Sequence, residues 1–157
     1  MITICYMVIH ILEAFILLQY CKNLFQTNFS GKVRYPVLFL CYFLLFIASL
    51  HENFWINFFM FLSLNFIYIF FVYDLKCLTA FFHSFLITII MVLSELVIFS
   101  IMSHFAPNFY DNRTYFRNVI ILSVPSKLLY FLILQCISSY IKKKKTRELS
   151  SDKNTLF

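Results

Sequence analysis

Three charged side chains stand inside long apolar stretches of this chain. Glu13 lies in VIHILEAFILLQY (8–20), Glu95 in IIMVLSELVIFSIMSHF (89–105), and Lys127 in VIILSVPSKLLYFLILQCISSYI (119–141). Such residues either pair with one another to hold helices in register, or they mark a site for a ligand, an ion or a signal. His10-x-x-Glu13 adds two metal-capable groups on one helical face. A metal site needs three or four ligands, and no second pair sits at a matching depth. A histidine hydrogen-bonded to its neighbouring glutamate is the expected arrangement, and no metal is expected.

Other chemistry is thinly represented. No Ser-His-Asp set, GxSxG, HExxH or paired-aspartate pattern occurs. Gly31 is the only glycine of 157 residues, so a phosphate-cradling loop, a dinucleotide fingerprint or a glycine-rich ATP lid cannot be built. Helix pairing through GxxxG is excluded for the same reason. Cys5, Cys21, Cys41, Cys77 and Cys136 form no CxxC and are expected as free packing residues. No cofactor is expected, and no enzyme activity. His51, Glu52, His104 and Asp111 read as solvated residues near one surface.

The elements that must carry these residues follow from composition. The chain is 62% hydrophobic and 13% charged, against about 25% charged in a soluble domain. Too few polar side chains exist to coat a water-facing surface, so the expected fold is all-α, a polytopic membrane bundle with the lipid bilayer as its first partner. About 20 apolar residues cross a bilayer core. Five segments qualify, near 2–20, 35–50, 54–73, 78–105 and 118–141, making a bundle over 1–141. A polar, mobile, basic cytoplasmic tail follows over 142–157.

Charge sets the orientation. Lys22, Lys32, Arg34, Lys76, Lys142 to Lys145, Arg147 and Lys153, ten in all, fall on one side, and Arg113 and Arg117 on the other. That bias places the N-terminus outside and the C-terminus in the cytoplasm of a multi-pass plasma-membrane protein. The first span lacks a basic leader and a small-residue cleavage site, and is expected to be retained. Trp55 and tyrosines near the span ends suit an interfacial belt. Nothing in the pattern suggests nucleic-acid binding.

Polar residues repeat along single helical faces. They are Tyr6, His10, Glu13 and Tyr20 in the first span, and Asn53, Asn57 and Asn65 in the third. Ser84, Thr88, Met91 and Glu95 form the fourth span's stripe. Ser123, Lys127, Tyr130 and Ser138 form the fifth's, with Leu134 between. Stripes that share an axis imply a polar seam. At about 1.5 Å per residue, Glu95 lies roughly 6 Å and Lys127 roughly 4 Å outward of their span centres, and Glu13 roughly 3 Å inward. Glu95–Lys127 is therefore the preferred ion pair and Glu13–Lys127 the second. Pro125, two residues before Lys127, is expected to kink its helix.

Three runs carry a family resemblance. VIHILEAFILLQYCKNLF (8–25), MVLSELVIFSIM (91–102) with its SEL, and SKLLYFLILQCISSYIKKKKTRELS (126–150) occur in this order. Together they resemble the membrane sensor region of GHKL-type sensor histidine kinases of Gram-positive bacteria, the Agr-like quorum-sensing receptors and their relatives. The resemblance implies two-component signal transduction. An extracellular signal, often a small peptide, is perceived by the membrane region and passed to cytoplasmic kinase domains. It also implies that Glu13, Glu95 and Lys127 occupy recurrent polar positions. The chain stops after the basic run, so no sixth span, phospho-acceptor helix or ATP-binding domain is expected in it.

The resulting expectation is a non-catalytic sensor module that binds an extracellular peptide or small signal. It would act through helix contacts with a homodimer partner or a full-length kinase. The ligand- and signal-coupling candidates are Glu13, Glu95, Lys127, His10, Tyr130 and Pro125. The alternatives are a small-solute binding or transport component, and a truncated kinase fragment without function.

Overall fold

The computed structural model describes residues 2–27, 29–51, 53–105 and 115–154, with side chains for 4, 6–27, 29–51, 53–105 and 123–144. Five helices follow one another: α1 (Ile2–Leu24), α2 (Gly31–Ser49), α3 (Phe54–Tyr73), α4 (Cys77–Phe105) and α5 (Tyr115–Asn154). No strand occurs among the described residues. All five helices are long and apolar enough to cross a membrane. Helix is the form such a sequence must take in lipid, because each backbone N–H and C=O then finds its partner within its own segment.

The five segments lie where hydrophobicity places them, with shifted ends. α2 starts at Gly31 rather than near 35, with Pro36 inside its second turn. There the missing N–H leaves only the carbonyl of Lys32 without its usual partner. α5 does not stop at 141, after which a mobile tail is expected. It continues through the basic run to Asn154. The segment has no glycine or proline after Pro125, and Lys, Arg, Glu and Leu are good helix formers. Pro107, Asp111 and Arg113 lie outside the described residues, as do Glu52 and the side chains of Cys5 and Arg117.

Short links join α1 to α2, α2 to α3 and α3 to α4. Thr27, between α1 and α2, donates to the Val72 carbonyl at 2.8 Å and ties that link to the end of α3. Asp74 ends α3 in the left-handed conformation at φ 49°, ψ 44°, a site that Asp and Asn tolerate better than other side chains. Asn53, expected on the polar seam, instead caps α3. Its Oδ1 accepts from the backbone N–H groups of Trp55 and Ile56 at 3.0 and 3.2 Å.

The helices close into a ring in which each packs on its sequence neighbours and α5 returns to α1. Inside lie Leu17, Tyr20, Tyr68, Ile69, Ile87, Tyr130 and Leu134, all essentially inaccessible. Outside, Phe39, Phe71, Phe82, Leu128 and Leu132 are each more than half exposed, as suits a surface facing acyl chains. Close approach is achieved without glycine. Ala80, Ser84 and Thr88, spaced four apart, form a small-residue stripe on the buried face of α4. The Ser84 and Thr88 hydroxyls donate back to the carbonyls of Phe81 and Ser84 at 2.9 and 2.8 Å, so they are satisfied within their own helix.

Candidate functional site

α1, α4 and α5 each bring one charged side chain to a common point. Lys127 Nζ lies 2.6 Å from Glu13 Oε1 and 2.5 Å from Glu95 Oε1. His10, one turn before Glu13, completes the cluster with Nδ1 at 2.8 Å from Glu13 Oε2. Glu13 thus binds a different partner with each oxygen. It and Lys127 are almost wholly buried, whereas the Glu95 side chain is 47% exposed.

Lys127 takes both partners at once, where depth along separate spans favours Glu95. Span centres ignore the axial offset between packed helices, and the flexible lysine stem covers the remaining difference. The Lys127 ammonium touches both carboxylates. It occupies the place between the two carboxylates that a bound cation would take. Among the described residues no three His, Cys, Asp or Glu groups converge closely enough to hold a metal ion.

The cluster lines a cavity of about 240 Å³ whose wall also includes Tyr6, Ser49, Phe54, Asn57 and Ser123. Tyr6, Ser49, Phe54 and Asn57 lie near the start of α1, the end of α2 and the start of α3, and Ser123 lies early in α5. The cavity therefore sits toward the end of the bundle opposite Lys22, Lys32, Arg34, Lys76 and Lys142–Lys144. A second opening between α3, α4 and α5 also has Glu95 in its wall, with Leu96, Phe99 and Ser126. Two polar atoms of the cavity wall, His10 Nε2 and Asn57 Oδ1, are buried without a hydrogen-bond partner.

The remaining candidates sit beside this site rather than in it. Tyr130 is fully buried about one turn from Lys127, and its hydroxyl has no hydrogen-bond partner. Pro125 lies within α5 and is exposed. Met91 of the α4 stripe reaches the cavity wall. Asn65 of the α3 stripe is buried away from it and accepts from the Tyr42 hydroxyl at 3.2 Å. His51 and His104 are exposed.

A second polar layer nearer the basic end is not evident from residue spacing. Tyr20 and His83 Nδ1 are hydrogen-bonded at 2.8 Å, linking α1 to α4. The Phe25 ring meets His83 edge-on at 4.8 Å. Asn23 donates to Gln135 at 3.0 Å, joining α1 to α5. Beyond His83 the same helical face carries only Leu86, Ile87 and Ile90, with Thr79 one turn before it, so its sequence signal is weak. Cys21, Cys41, Cys77 and Cys136 are free, the first two buried.

No family model, no curated protein and no solved structure matches this chain.

Proposed function

We propose that the chain is the non-catalytic input module of a membrane sensor. Its N-terminus and cavity face the outside, and its basic end lies against the cytoplasmic leaflet of the plasma membrane. The observation that carries this reading is the Glu13–Lys127–Glu95 cluster, set in a cavity at the end of the bundle away from most of the basic residues. By the positive-inside rule that end is extracellular. A structural ion pair alone needs neither a third charged partner nor an adjoining cavity. The resemblance to Agr-like sensor kinases points the same way.

In mechanism, a peptide or small signal enters the cavity and contacts Glu95 at its lip. Glu95 shares its Lys127 partner with Glu13, so any change at Glu95 alters how α5 is held against α1 and α4. From Lys127 to Asn154 α5 is one uninterrupted helix, about 40 Å long. A shift at the cluster therefore moves the basic segment as a rod. That segment is the contact for a partner helix, in a second copy or in a full-length kinase.

Spin labels on Cys77 and on Lys142→Cys, with the other cysteines removed, report the α4–α5 spacing at the basic end of the chain in nanodiscs. The peptide fraction of spent culture medium from the source cells is expected to change the distance distribution. Lys127→Met is expected to abolish the change. A distribution that no fraction moves would contradict the proposal.

A further inference from the structure

Resting on the sensor reading above, we propose that the cavity binds an organic cation, a primary ammonium or a guanidinium, with Glu95 as its counter-ion. Charge comes first. Two carboxylates face one ammonium in the cluster, an excess of one carboxylate. Glu13 is enclosed between Lys127 and His10. Glu95 is half exposed and lines both openings, so the excess charge is reachable there.

Hydrogen-bonding capacity comes second. Glu13 can only accept, so His10 Nδ1 carries a proton, and in that tautomer Nε2 is an acceptor. Asn57 Oδ1 is an acceptor too. Both atoms are buried and unpartnered, on residues of the cavity wall, and burial without a partner is costly. The unpartnered buried atoms are thus acceptors beside an excess carboxylate, and their complement is a cation with several N–H donors. The rest of the wall includes Phe54, Phe58 and Phe61, and aromatic rings suit an organic cation. A cavity of about 150 Å³ accommodates benzene, so 240 Å³ takes an amino-acid side chain or a small amine.

The cation has two sources, a lysine or arginine side chain of a peptide, or a free amine. The test uses the whole chain in phosphatidylcholine nanodiscs, titrated calorimetrically and by fluorescence of Trp55, whose ring lies 5.4 Å from that of Phe54. The probes are n-butylammonium, neutral n-pentanol, butyrate, sodium chloride and acetyl-Phe-Lys-Phe-amide. Saturable butylammonium binding is expected, weakened about tenfold or more by Glu95→Gln and kept by Glu95→Asp. Tighter binding of the tripeptide than of butylammonium assigns the peptide source, and the reverse order the free amine.

The proposal is overturned by no saturable binding of either cation, by pentanol or butyrate binding equally well, by sodium filling the site in competition, or by unchanged binding in Glu95→Gln. Loss of amine binding in a chain that still responds to medium peptides removes the cation assignment alone. Amine binding in a chain that never changes its α4–α5 spacing removes the sensor reading alone.

Discussion

Lys127 on α5 holds Glu13 on α1 at 2.6 Å, with both side chains about 95% buried. α1 and α5 are thereby joined by a charge pair deep in an apolar ring, with Glu95 of α4 as a second, more accessible partner for the same ammonium. The asymmetry between the two carboxylates separates what the cluster does for stability from what it offers to a ligand.

Removing the shared cation is expected to be the most damaging change. Lys127→Met leaves two carboxylates without their ammonium, and breaking a buried pair from one side costs about 3–5 kcal/mol. Glu13→Gln should cost less, because Lys127 keeps Glu95. The double variant should fall short of the sum of the singles by about 0.5–3 kcal/mol. Unfolding in detergent micelles measures all three; strict additivity would mean the pair is not coupled.

The Tyr20–His83 hydrogen bond is expected to act independently of the cluster. Tyr20→Phe keeps the ring beside Phe25 and loses the hydroxyl, at a cost of about 1 kcal/mol. The change should add to that of Glu13→Gln. A melting-temperature series over the two singles and the double decides it.

Asn53 should behave as a helix cap and not as part of the polar seam. Asn53→Ala is expected to lose about 1 kcal/mol, while Asn53→Ser, which still caps, stays close to wild type. Equal losses in both variants would return Asn53 to the seam.

Orientation is open to thiol chemistry in intact cells. Cys77 is exposed beside Lys76 at the basic end, whereas His51 is exposed in the α2–α3 turn at the other. A membrane-impermeant maleimide should label a chain whose single cysteine is His51→Cys, and spare one that retains Cys77 alone. The opposite pattern would place the cavity in the cytoplasm.

Residue order carried the architecture well, because the signal is strong and local. Apolar runs long enough to span lipid leave little choice but helix, and α3 runs from Phe54 to Tyr73 as hydrophobicity alone places it. The cluster was legible for a related reason. A charge in an apolar run needs a partner, and few exist, so Glu13, Glu95 and Lys127 almost select one another. That Lys127 takes both carboxylates at once was not legible, since it depends on how far α1 slides along α5. Asn53 misled because spacing cannot tell an inward side chain from one that bends back to cap its own helix. Tyr20 with His83, and Asn23 with Gln135, depend on which faces of distant helices meet, and no periodicity within one helix records that.

The most direct test of the cluster as a signal site is Glu95→Gln, followed for stability and for the α4–α5 distance response in the same nanodisc preparation. Glu95 is half exposed, and glutamine still accepts from Lys127, so stability should stay within about 1 kcal/mol of wild type. The distance response to medium peptides should be lost. A stable variant that responds as wild type does would reduce the cluster to a structural tie and contradict the account.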